Sequence, residues 1–152
     1  MPAAKKSFTW TLTAESNSAY SFKEIDGFEN PGISHYVGDE IKFINNAGST
    51  HPLFIVTKLN DDGGYSAENE VAGVQNQGAT SGEVIVDLSL LSPGTYYYIC
   101  GNHKAMQGTI TIYPKFSIST TKENLNSERV QDFNITQSTL GPLKYRFLIY
   151  SD

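Results

Sequence analysis

Four side chains in this 152-residue sequence have the types and spacing to hold a transition metal. Cys100, the only cysteine, is followed by His103 and Met106, so a thiolate, an imidazole and a thioether fall three residues apart in one short stretch. His51 lies far upstream, at the head of the run Pro52-Leu53-Phe54-Ile55-Val56. Two imidazoles and a thiolate make a trigonal donor set, a thioether adds a weak axial ligand, and soft sulfur favours copper; the combination is that of a mononuclear type 1 copper site. A compact turn between two strands aims Cys100, His103 and Met106 inward together. A fourth ligand from a distant strand lets the folded core, rather than one loop, bracket the ion.

Taken singly, each residue has a plainer reading: Cys100 as a small buried hydrophobe, Met106 as core filler, the histidines as polar loop residues. Their coincidence on suitable elements is what points to metal. A structural zinc site takes four Cys or His ligands, and the sequence offers one Cys and three His in all. A dinuclear copper centre needs two bridging cysteines. A Cys/His nucleophile would leave Met106 without a role, and no local sequence supports it. His35 is read as structural or solvated, because the site already has its four donors.

The elements that must position these residues are strands. Phe8, Trp10 and Leu12 alternate with threonines, Tyr20-Ser21-Phe22 is a short strand, and residues 33–36 are weakly strand-like. Residues 40–45 form a better strand, and His51 opens the next after a loop over 46–50. Residues 58–82 are a long acidic excursion with Asp61-Asp62-Gly63-Gly64 at its tip, read as a solvated surface. Residues 83–88 alternate again, with Val84, Val86 and Leu88 on one face. In the strand that ends at Cys100, Tyr96, Tyr98 and Cys100 share one face, while Tyr97 and Ile99 share the other. Ile110 and Ile112 alternate in the strand after the loop. Asp26-Gly27 and Asn30-Pro31-Gly32 are turn chemistry.

About eight strands with turns at short intervals predict an all-β Greek-key sandwich or barrel. Pro114 ends that core, giving a domain over 1–113 and an extension over 114–152. In the extension Phe116 and Ile118 alternate, 123–137 is polar, and 143–150 reads as a strongly β-prone final strand. It is too short for a second domain and is expected to dock on the core or on a neighbouring chain. The net charge of −5 is uneven: residues 1–113 carry 6 Lys against 12 Asp and Glu, and 114–152 are net positive by one. An acidic chain argues against nucleic acid or an anionic membrane as partner. No stretch is apolar enough to insert in a membrane, and the start of the chain lacks a secretory signal. That leaves cytoplasmic synthesis, association with a virion, or a trimmed exported form. One cysteine makes no internal disulfide and reports no redox compartment.

With these residues in hand, 7–113 resemble a cupredoxin, the fold of plastocyanin, amicyanin and pseudoazurin. The Cys100-x2-His103-x2-Met106 spacing is similar to the short ligand loop of amicyanins. Together with the His51-Pro52 pair, the motif looks closest to cupredoxin-like modules of marine microbes and phages. The resemblance implies one copper ion bound through the imidazole nitrogens of His51 and His103 and the thiolate of Cys100, with Met106 as weak axial ligand. It also implies one-electron transfer with a redox partner protein, and no enzymatic activity. Pro52 stands where many members have an Asn whose backbone N–H donates to the cysteine sulfur, and proline has no such donor. The Asn102 N–H is expected to donate instead. Ile99 stands where plastocyanins use a tyrosine as a remote electron port, which leaves the exposed edge of His103 as the route.

The second reading is a structural module, a virion decoration or surface-attachment protein on the same scaffold, with copper structural or absent. Here the extension over 114–152 adds a strand to a neighbouring subunit and makes a homo-oligomer.

Overall fold

A computed structural model describes residues 4–121, 130–137 and 141–148. The chain divides into two compact units, Met1–Tyr113 and Pro114–Asp152.

The first unit holds nine strands: β1 (Ser7–Thr13), β2 (Ser21–Phe22), β3 (Ile25–Glu29), β4 (Ile33–Tyr36), β5 (Glu40–Asn45), β6 (Leu53–Val56), β7 (Gly82–Asp87), β8 (Gly94–Cys100) and β9 (Gln107–Tyr113). They form two sheets, ordered β3-β2-β1-β5-β7 and β4-β9-β8-β6. β1 runs parallel to β5 and β4 parallel to β9; the remaining pairs are antiparallel. The inward residues of both sheets share one core. Leu12, Phe22, Ile41, Phe43, Val84 and Val86 from one meet Ile33, Leu53, Ile55, Tyr98, Cys100, Ile110 and Ile112 from the other. The fold is thus an all-β sandwich, one of the two forms that the strand pattern predicted. Burying these side chains removes about 2 kcal/mol of apolar exposure each.

In β8, Tyr96, Tyr98 and Cys100 all border this core; Tyr97 and Ile99 lie outside the cluster, although Ile99 is itself fully buried. Tyr98 lies over Gly108 on the paired strand, where a Cβ would collide with its ring.

Three local expectations need correction. The stretch holding Asp26-Gly27 carries a strand, β3, with Gly27 at φ +78°. Four of its five residues are exposed and it pairs only with the two-residue β2 through a bulge, so it shows no buried alternation. Leu88 does not extend β7 but opens a 3-10 turn, Leu88–Leu90, because the Asp87 side chain accepts from Ser89 N–H and caps it. The long 58–82 excursion is more than a solvated surface. It contains a second 3-10 turn (Ala67–Asn69), buries Val71, and bridges to both sheet margins at Val56–Glu70, Leu53–Ala79 and Gln75–Ile85. The Gln77 side chain accepts from Ile55 N–H at 2.8 Å and donates to Ile55 O at 2.8 Å, which covers the open edge of β6.

The second unit, described by itself, is a three-stranded antiparallel meander: β10 (Phe116–Thr121), β11 (Val130–Gln137) and β12 (Gly141–Leu148). Phe116 pairs with Gln137, and Val130 with Leu148. β11 falls in the stretch read as merely polar. Residues 149 and 150 of the predicted final strand lie outside the described residues. No helix among the described residues is long and apolar enough to cross a membrane.

Candidate metal centre

Cys100 ends β8 and Gln107 begins β9, so the six intervening residues form the turn between two paired strands. Backbone bonds close it: Cys100 N–H donates to Met106 O at 2.9 Å and Met106 N–H to His103 O at 3.0 Å. Gly101 N–H reaches across to Pro52 O at 2.9 Å, tying this turn to the start of β6. Gly101 is required here, since a Cβ would stand 2.7 Å from the Phe54 ring. Gln107 Nε2 donates to Lys104 O and to Gly63 O, at 2.8 and 2.9 Å, and Asn30 Nδ2 donates to Ala105 O at 2.9 Å. Asn30 holds that position from a left-handed conformation, φ +49°, and its Oδ1 also accepts from Tyr20 N–H.

His51 ends a loop that turns at Gly48, φ +103°, where His51 N–H donates to Gly48 O at 3.1 Å. Its carbonyl takes two buried donors, Asn45 Nδ2 at 2.8 Å and the Tyr20 hydroxyl at 3.3 Å. Asn45 is fully buried; it donates further to Ala79 O and accepts from Ala47 N–H, so one side chain fixes the whole 46–51 loop. The motif search by residue type passed over Asn45 and Tyr20. A signal was present for Asn45: alternation places it on the same inward face as Ile41 and Phe43, where a polar residue needs bonded partners.

These constraints bring His51, Cys100 and His103 together, with one donor atom from each lying within 4.8 Å of the others. Both rings turn Nδ1 toward the sulfur, His51 at 3.8 Å and His103 at 3.5 Å. The rings are tilted and 4.9 Å apart. Cys100, His51 and Met106 are buried, and His103 is half-buried. Burial, then the neighbouring His103, pushes the His51 imidazole below its ordinary pKa, which keeps it in the neutral form that binds metal. Burial, with the Cys100 sulfur adding to it, pushes the Tyr20 phenol far up, so Tyr20 stays a protonated donor.

The expected bond from Asn102 N–H to the Cys100 sulfur is not among the described hydrogen bonds. Asn102 instead uses its side chain, donating Nδ2 to Thr50 O at 2.9 Å and joining the two ligand loops. His35 lies away from the site: it is buried, accepts from Trp10 Nε1 at 2.9 Å, and is held below its ordinary pKa by burial.

Comparison with protein families matches residues 7–113 to the copper binding proteins of the plastocyanin/azurin family, and the chain belongs to that family. It is a cupredoxin-fold module whose cofactor is one type 1 copper ion, for which the two imidazole nitrogens and the thiolate brought together here are a fitting donor set. No curated protein matches the chain. Among solved structures it is similar to rusticyanin from Thiobacillus ferrooxidans (19% identity over 72% of this chain and 79% of that one, TM-score 0.44). It is similar also to oxidised plastocyanin from Dryopteris crassirhizoma (16%, 70% and 100%, TM-score 0.40) and to a Cu(I) amicyanin variant (19%, 74% and 87%, TM-score 0.37). The narrower likeness to marine microbial and phage modules rests on the sequence motif alone.

Proposed function

We propose that the chain is a one-electron carrier in which His51 and His103, through Nδ1, and Cys100, through Sγ, would hold the copper, with the Met106 thioether as a fourth, weaker donor. The observation that carries this is the convergence of those three donors, two of them buried and His103 half-buried, on loops held by their own backbone and side-chain bonds. The ion supplies a Cu(I)/Cu(II) couple, and the protein's part is to hold the ligands so that both states fit one geometry. Four side chains leave no open position for a substrate, which supports a carrier rather than an enzyme. His103 is the half-buried ligand, flanked by exposed Asn102, Lys104 and Ala105, so its ring is the route by which a redox partner protein exchanges electrons.

Stopped-flow mixing of the copper-loaded protein with a small soluble reductant tests this. Fast single-exponential bleaching, slowed for a protein partner by Ala105→Glu with the spectrum unchanged, is expected. Slow exchange by a chain that sediments as an assembly through 114–152 would refute it. No observation among the described residues favours the structural-module reading.

A further inference from the structure

Trp10 is the only tryptophan, and its half-buried indole donates Nε1–H to His35 Nε2 at 2.9 Å. An accepting Nε2 is unprotonated, and the downward push on the His35 pKa keeps it so at neutral pH. His35 is 4% exposed, so water does not compete for that bond. The indole also packs against the first of a run of rings. Trp10 and Phe22 centroids are 5.7 Å apart, Phe22 and Tyr98 5.1 Å, Tyr98 and Tyr20 6.2 Å, Tyr20 and His51 6.4 Å. Each step is within the contact range of packed aromatic pairs. Phe22, Tyr98 and Tyr20 are at most 2% exposed. The chain therefore runs inside the core from the metal centre to an indole at the surface.

The rings differ in what takes a proton. Tyr20 and Tyr98 donate to the carbonyls of His51 and Pro31, whose oxygens are far weaker bases than an imidazole. Phe22 has no proton to give. Trp10 has an imidazole nitrogen in place to take its proton, and the Asp39 carboxylate near His35 favours an imidazolium there.

We propose that Trp10 and His35 form a proton-coupled redox pair that catches strong one-electron oxidants at the surface, and that Phe22, Tyr98 and Tyr20 carry the repairing electron from the metal centre. A one-electron oxidant of the Ru(III) polypyridyl class takes one electron from the indole and becomes Ru(II). The indole N–H bond breaks, and its proton forms a new bond to the His35 Nε2 lone pair. A neutral indolyl radical and an imidazolium remain. One electron delivered along the chain and return of that proton restore Trp10 and His35, leaving the centre one electron more oxidised. The repair arm rests on the copper reading; the proton arm does not.

The test is laser flash-quench with photogenerated tris(bipyridine)ruthenium(III), read by transient absorption. In metal-free protein the neutral indolyl radical is expected directly. In His35→Gln, which keeps an acceptor but no base, the radical cation is expected to lose its proton about a hundredfold more slowly, at the low end of what a positioned base contributes. Equal deprotonation in the two proteins would overturn the pair. In Cu(I)-loaded protein the radical is expected to vanish faster than in metal-free protein, and Phe22→Leu to remove that acceleration. If Phe22→Leu does not fold, Tyr20→Leu breaks the same chain. A radical that survives equally with and without Cu(I), or repair indifferent to the ring deletion, would overturn the chain. A protein that binds no copper would fail the copper reading and sink the repair arm with it, while the metal-free comparison still decides the pair.

Discussion

Replacing Asn45 by alanine removes a buried clamp, and the structure sets the size of the loss. Asn45 Nδ2 donates to His51 O at 2.8 Å and to Ala79 O at 2.9 Å, and Oδ1 accepts from Ala47 N–H at 3.0 Å. After truncation His51 O keeps the Tyr20 hydroxyl at 3.3 Å and Ala79 O keeps Leu53 N–H at 3.1 Å. Ala47 N–H, in a residue only 8% exposed, loses the acceptor that holds it. Two lost bonds at about 1 kcal/mol each and one stranded buried donor at about 1–3 kcal/mol give a destabilisation of about 3–5 kcal/mol. That is a large share of the roughly 5–15 kcal/mol holding a typical domain, and corresponds to a fall in Tm of about 10–20 °C. Because the loop it holds ends at His51, copper affinity is expected to fall by about tenfold or more, as for other residues that orient metal ligands. Asn45→Asp is expected to be no better, since its second oxygen would face two carbonyl oxygens. Urea unfolding of the metal-free protein measures the first effect and competitive copper titration the second. A stability loss under about 1 kcal/mol with unchanged affinity would show that the clamp is redundant and the reasoning wrong.

Gly101→Ala places a Cβ 2.7 Å from Phe54 Cε2, in a ring already stacked on Tyr65 at 4.0 Å; overpacking of about 1–3 kcal/mol is expected, read by thermal unfolding, with a broadened copper spectrum. His35 has a folded-state pKa pushed below its ordinary 6.5, so the unfolded chain binds the extra proton. Its share of stability is therefore complete above about pH 6.5 and lost as pH falls toward the folded value; His35→Gln is expected to flatten that part of a urea-midpoint profile and leave the part due to His51. Every core residue among those described lies within 1–113, so a chain ending at Tyr113 is expected to fold and take up copper, checked by circular dichroism and an optical titration; failure of both would mean the extension completes the fold.

The fold was legible wherever one face of a strand is buried. In β5, β7 and β9 the inward residues alternate with outward ones, and in β8 the same rule placed Tyr96, Tyr98 and Cys100 on the core side. Legibility stopped where burial did not set the pattern. β3 is exposed along most of its length, and the polar composition of the stretch holding β11 hid a strand that pairs on both sides through backbone bonds. Two of the donors were visible as residue types at short spacing, because the turn between β8 and β9 brings Cys100 and His103 together. What holds them was not. Asn30 reaches Ala105 across 75 positions, Tyr20 reaches His51 across 31, and Asn102 bonds through its side chain rather than its backbone. Such contacts depend on which loops the fold brings together, and local sequence does not carry that information.

The central claim, that His51, Cys100, His103 and Met106 hold one copper ion, is tested most directly by titrating the purified protein with Cu(II) and recording its optical spectrum alongside that of Cys100→Ser. The expected result is an intense thiolate-to-copper band that saturates at one equivalent and is absent from the variant. A titration with no such band, or a band that persists without the Cys100 sulfur, would contradict it.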